Sequence, residues 1–161
     1  HIQKKETHFI ANMLKKNFSE HSSNYSNEEF NKIAELIKPR LNNLNDLSNS
    51  AIFFFKNPEN YSEKHFNKLK KASHNEILPG IFDLIDSIKD LTELKPCLEK
   101  LVSQKDWNFG KVMGLFRLSI VGELTGPDLF QIVSLLGKEN CCSRIRLLED
   151  AMNTLDAQNI P

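Results

Sequence analysis

Apolar residues recur three and four positions apart through almost the whole chain, while the alternation expected of a strand is scarce. Phe9, Ile10, Met13, Leu14 and Phe18 follow this spacing, as do Phe30, Ile33, Ala34 and Ile37. Helix stop and start signals separate the stripes. Ser26-Asn27-Glu28-Glu29 has the form of a capping box, with Ser26 and Glu29 as the reciprocal pair, and Pro39 bounds the helix it opens. Leu41, Leu44, Leu47 and Ala51 lead to Phe53-Phe54-Phe55, which is expected to be core, and Lys56-Asn57-Pro58 breaks that run. Such a chain can fold only as packed helices.

The second half reads the same way. Ser62 is placed to cap a helix bearing Phe66 and Leu69, and Pro79-Gly80 should kink or punctuate the chain after Ile77 and Leu78. Ile81, Leu84, Ile85 and Ile88 continue the period. A helix over 92–102 should turn Leu94, Leu98 and Leu101 inward, with Pro96 in its first turn. A helix over 109–121 ends at Gly122. Thr125-Gly126-Pro127-Asp128 reads as the next start, with Thr or Gly as cap and Pro in the first turn. Leu129, Ile132, Val133 and Leu136 form its buried stripe up to Gly137, and a last helix is expected over 138–155. Short strands are conceivable only at Phe53–Phe55 and Leu118–Val121. The expected class is all-α with two packed helical subdomains. Breaks are possible at Lys56–Ser62 and Ser103–Phe109; the second is preferred, giving subdomains 1–105 and 106–161.

Composition narrows the chemistry. The chain has 161 residues, 40% of them hydrophobic and eleven of them Phe, enough for a sizeable core. Its 21 basic and 21 acidic residues balance, which disfavours indiscriminate nucleic-acid binding, since phosphate neutralisation supplies most non-specific affinity. No apolar run reaches a membrane span, and no signal peptide is visible. Cys97, Cys141 and Cys142 lack a CxxC spacing and are expected to be reduced thiols of a cytoplasmic protein. His1, His8, His21, His65 and His74 are scattered and are expected to be solvated, so no metal site is anticipated. Phosphate-cradling glycine loops, HExxH and nucleophile elbows are lacking, leaving a binder with no catalytic residues of its own. A start at His1 instead of Met is expected of a trimmed chain.

The stretch from Lys111 to Glu139 carries the most specific signal. It runs Lys-Val-Met-Gly-Leu-Phe-Arg-Leu-Ser-Ile-Val-Gly, then Glu-Leu-Thr-Gly-Pro-Asp-Leu-Phe, and ends Leu-Leu-Gly-Lys-Glu. In order and spacing it closely resembles the C-terminal signature of bacterial glutamyl-tRNA synthetases, and Arg144-Ile145 resembles the arginine-bearing helix that follows there. Phe53–Phe55 with Tyr61-Ser62-Glu63-Lys64 is similar to the middle of that domain, more loosely. The opening departs from the family: His8-Phe9-Ile10 stands where Trp-Phe-Asn is usual, so no functional residue is carried over from it.

The resemblance implies an anticodon-binding helical cage whose partners are the tRNA-Glu anticodon loop and the enzyme's N-terminal catalytic domain. The full enzyme would join glutamate to tRNA using ATP and magnesium; its HIGH-like and KMSKS-like motifs do not occur here. A monomer is expected. Unstacked anticodon bases expose edges and faces to side chains. By the resemblance, Arg117 contacts anticodon bases, and its planar fork suits a base edge. Leu129 would pack against a base, or is ordinary core. Thr125 and Gly126 would place backbone donors at a helix start. Lys111 would meet phosphate, or is a solvated charge. Trp107 and Phe109 could stack a base, but are more simply core or hinge packing. The rival from another class is a helical protein-interaction or scaffolding module. A basic groove beside Arg117 and Lys111 would favour RNA, and an exposed apolar patch without a basic rim would favour a protein partner.

Overall fold

The computed structural model describes the backbone of residues 2–70 and 74–158 and the side chains of 5–70 and 74–154. Among the described residues nine α-helices follow in order: α1 Ile2–Asn17, α2 Asn27–Ile37, α3 Leu47–Ala51, α4 Glu63–Lys70, α5 His74–Ser87, α6 Leu94–Lys105, α7 Phe109–Val121, α8 Leu129–Leu136 and α9 Lys138–Gln158. Short 3-10 turns join several of them, and among the described residues no strand occurs. The two runs that could have been strands are helical. Ile52–Phe54 is a 3-10 turn, and 118–121 closes α7. Their neighbours in the chain are helical and offer no strand to complete a ladder, which an isolated strand would need.

The chain separates into two compact units, His1–Lys56 and Asn57–Pro161. The break falls at the polar stretch that begins at Lys56. The preferred break near residue 105, which would give 1–105 and 106–161, instead lies inside the second unit, where the turn after α6 folds tightly back: the Trp107 N–H donates to the Val102 carbonyl at 3.0 Å.

In the first unit, α1, α2 and α3 pack on one another. The capping box forms as expected: the Glu29 N–H donates to Ser26 Oγ at 3.1 Å, and the Ser26 N–H to Glu29 Oε1 at 2.9 Å. Phe18, Tyr25, Phe30 and Phe55 make one aromatic cluster, with Phe18 stacked on Phe55 at 4.1 Å between centroids. The Tyr25 hydroxyl donates to the Phe54 carbonyl, which satisfies its polar end inside that cluster. Phe9 and Leu44, both on expected apolar stripes, are instead 55% and 48% exposed.

In the second unit, α5 and α7 both pack against α9. α5 runs through Pro79 without ending, although proline forfeits the hydrogen bond to the carbonyl four residues back and its ring crowds that carbonyl. α6 begins after a 3-10 turn in which Asp90 Oδ1 accepts the Thr92 N–H at 3.0 Å. That bond holds the Asp90 carboxyl below its usual range. Leu94, Leu98 and Val102 form the buried face of α6, and Leu101, expected inward, is only half-buried. His74, expected to be solvated, is 4% exposed, and its Nδ1 lies 2.9 Å from the Lys70 carbonyl. His1 lies outside the described residues.

α7 and α4 run antiparallel. The Ser62 N–H at the start of α4 donates to the Gly122 carbonyl at 3.1 Å, while Leu69 near the end of α4 faces Gly114, eight residues earlier on α7. Gly114 permits that approach, because a Cβ there would lie 3.1 Å from a Leu69 methyl. Gly122 ends α7 at φ +86°, in the left-handed region, with Pro58 Cβ 3.2 Å from where its own Cβ would stand. Gly122→Ala should therefore lower unfolding free energy by about 1–2 kcal/mol, from the left-handed backbone and the crowding at Pro58 together. Urea denaturation followed by circular dichroism measures this; an unchanged midpoint would show that the turn relaxes freely.

Candidate nucleic-acid interface

The signature stretch folds as a helix–loop–helix corner: α7, the loop 122–128, then α8. Asn108 opens α7 by accepting the Lys111 N–H at 3.0 Å, and Gly122 closes it. α8 begins later than the sequence suggests. Asp128 is the cap, its Oδ1 accepting the Gln131 N–H at 3.0 Å, so Thr125 and Gly126 stand in the loop ahead of it and Pro127 precedes the cap. The Asp128 carboxylate accepts the Gln131 N–H, one of the otherwise unpaired donors of the first turn, and this sets the helix start. It also places negative charge at the helix's positive end, which leaves that terminus ill suited to a phosphate.

Arg117 lies across the loop. Its Nη1 donates to the Pro127 carbonyl at 2.8 Å, and the side chain is half-buried. Gly126 makes this possible. At φ +149° it carries no side chain, and a Cβ there would sit 3.1 Å from Arg117 Nη1. Thr125 is exposed beside it. The corner thus brings Arg117, Thr125 and Gly126 together. Leu129 starts α8 just beyond, but is 1% exposed, so it supports the corner from beneath and offers no open face. Lys111 is exposed on the first turn of α7, six residues before Arg117. On a helix that is roughly 9 Å along the axis and about 120° around it, so the two side chains do not share a face.

Leu124 and Phe130 also belong to the corner, though the sequence did not single them out for it. Leu124 is half-buried, with a methyl 3.8 Å from where a Cβ on Gly114 would stand, and Phe130 meets Phe116 edge-on at 6.3 Å. Both lie within the signature stretch, which assigns them no role of their own. Trp107 and Phe109 are not in the corner. Trp107 lies on α5 against Gly80, and Phe109 is 45% exposed at the start of α7. Local charge is mixed: Glu123 and Asp128 are exposed on either side of the loop.

Arg144 fixes the corner from behind. It is 3% exposed on α9; its Nη1 donates to the Ile120 carbonyl at 2.7 Å and its Nε to Asn57 Oδ1 at 3.2 Å. Ile120 lies in the last turn of α7, where a cation is favoured. Burial raises the Tyr61 phenol above its usual range, and the nearby Arg144 charge partly opposes this. Burial likewise drives the Cys141 thiol up to about 12. Among the described residues, no cluster of three or more His, Cys, Asp or Glu could hold a metal ion.

Comparison with known proteins places this geometry among relatives. Residues 9–148 match the model of a family described as "Anticodon binding domain". A glutamate–tRNA ligase of Phocaeicola vulgatus is 30% identical over 148 residues, covering 91% of this chain and 29% of its own length. One from Flavobacterium psychrophilum is 35% identical over 130 residues, 77% of this chain and 24% of that protein. A crystal structure of the glutamate tRNA ligase of Elizabethkingia meningosepticum superposes with a TM-score of 0.81 at 31% identity, over 91% of this chain and 30% of that one. The chain therefore spans under a third of the length of these relatives.

Cys141 generates a pH prediction. Its folded value lies near 12 against an ordinary 9, so below about pH 9 the thiol is neutral in both states. Above that, the unfolded thiol ionises first, and stability should fall steadily as pH rises from about 9 towards 12. Denaturation midpoints at pH 7.5 and 10 should differ in that direction, and the difference should shrink in Cys141→Ala. An equal fall in the variant would assign it to other groups.

Proposed function

Because the chain belongs to the anticodon-binding-domain family, we propose that it is the anticodon-reading part of a glutamate–tRNA ligase. In this reading it binds the tRNA-Glu anticodon loop in the cytoplasm, as a monomer joined to the catalytic portion of its enzyme. That portion attaches glutamate to tRNA using ATP and magnesium. No step of that reaction runs through the residues described here.

The observation that carries the reading is Arg117 laid across the loop 122–128, within the stretch that carries the family signature. An arginine held at one end by a main-chain carbonyl loses little further freedom when its fork meets a base edge. Thr125 and Gly126 stand beside it, where an unstacked base would present its Watson–Crick edge. Leu129 sets the shape of the corner from the core. Lys111, exposed and around the helix, meets backbone phosphate and not a base. The balanced charge agrees with this division. Affinity from phosphate neutralisation is modest, so discrimination rests on a few directed contacts.

One good bidentate base contact contributes about 1–3 kcal/mol of discrimination. Arg117→Ala should reduce the preference for tRNA-Glu over anticodon variants by about tenfold or more, and Arg117→Lys should not restore it. Filter binding with tRNA-Glu and single-base anticodon variants measures the ratio. Equal affinity for all of them, unchanged in Arg117→Ala, would sink the reading.

A further inference from the structure

A second surface of the 57–161 unit lies away from the signature corner in chain position, on α5 and the turn that ends α6. It starts from one backbone feature. Asp106 ends α6 in the left-handed region at φ 54°, and the turn sends Trp107 back onto α5. There the indole lies over Gly80 so closely that a Cβ would stand 2.6 Å from its Cη2. The indole N–H is buried and meets no acceptor among the described residues, so packing on Gly80 sets the ring's position.

The result is an open groove of about 530 Å³. Its apolar floor comes from Pro79, Gly80, Leu84, Leu101 and Trp107. Leu101 is the residue that the period of α6 turns inward but the structure leaves half-covered. The rim has a definite sign. Glu76 and Asp83, seven apart and therefore on one face of α5, both line it and both are exposed. Among the described residues neither makes an ion pair, and Lys105 is the single cation of the lining.

We propose that this groove docks a peptide segment of a protein partner, one apolar side chain entering over Trp107 with a lysine or arginine on either side meeting Glu76 and Asp83. Charge selects the occupant. Among the described residues, two carboxylates without an ion pair stand against one ammonium, which repels a phosphate backbone and attracts a basic peptide. The floor supplies what a single apolar anchor needs, and the volume falls in the range of sites that bury one. The inference goes beyond the RNA reading and does not depend on it, because no residue of the groove belongs to the corner at Arg117.

Trp107 is the only tryptophan of the chain, so its indole resonance reports on the groove alone. Random peptides displayed on phage would be selected on the chain and counter-selected on Glu76→Lys/Asp83→Lys. The enriched sequences should carry an apolar residue with lysine or arginine within about four positions. Synthetic versions should shift the Trp107 indole peak saturably and bind the double variant at least tenfold more weakly. Replacing the peptide's apolar residue with alanine should abolish the shift. The proposal is overturned if enrichment is independent of Glu76 and Asp83, or if acidic peptides bind equally. It is also overturned if an anticodon stem-loop RNA moves the indole peak, or if the chain alone shifts it with concentration, which would make a second copy the occupant.

Discussion

An arginine cannot remain inside a protein unless its donors are met, and the signature corner is arranged around one that is. Arg144 joins three pieces of chain: its own helix α9, the last turn of α7 through the Ile120 carbonyl, and the segment leading to α4 through Asn57. Gly122 and Ser62 close the same junction from the other side. With the end of α7 fixed there, the loop that follows has a defined origin. Arg117 can then reach back across it to Pro127, and the absent side chain of Gly126 leaves room for it. The corner's precision is thus inherited from a buried charge one layer below.

That arrangement separates two demands on a reader of RNA. Holding the nucleic acid asks for diffuse positive charge, and choosing among bases asks for a few donors held in place. The chain has no charge excess, and its corner carries acidic residues on either side. On the proposed reading, these features suit it to choosing more than to holding. In the longer relatives, this portion is under a third of the protein, and the remaining length is available for other contacts.

The helices were legible in the sequence because their causes are local. A capping box, a glycine stop and a stripe of apolar residues each act within about one or two turns. Stripes do not reveal which edge residue is covered. Phe9, Leu44 and Leu101 fit the period as well as Leu14 or Leu98 do, and only the packing partner decides. The start of α8 lies two or three residues later than expected because Asp128 competes as a cap with Thr125 and Gly126, and spacing does not rank them. Arg117 was singled out by its motif. Its contact with Pro127, the burial of Leu129, and the distance of Lys111 around α7 depend on how the loop returns, which no local pattern encodes. Arg144 is buried for the same reason: its partners at Ile120 and Asn57 are supplied by the fold.

The central claim is that the corner formed by α7, the loop 122–128 and α8 meets the anticodon. Photo-crosslinking tests it directly, using tRNA-Glu carrying 4-thiouridine at single positions of either the anticodon loop or the acceptor stem and mapping the attached peptide by mass spectrometry. The account predicts adducts within residues 109–137 for anticodon positions and none for positions in the acceptor stem. Adducts confined to other parts of the chain, or spread equally over all tRNA positions, would contradict it.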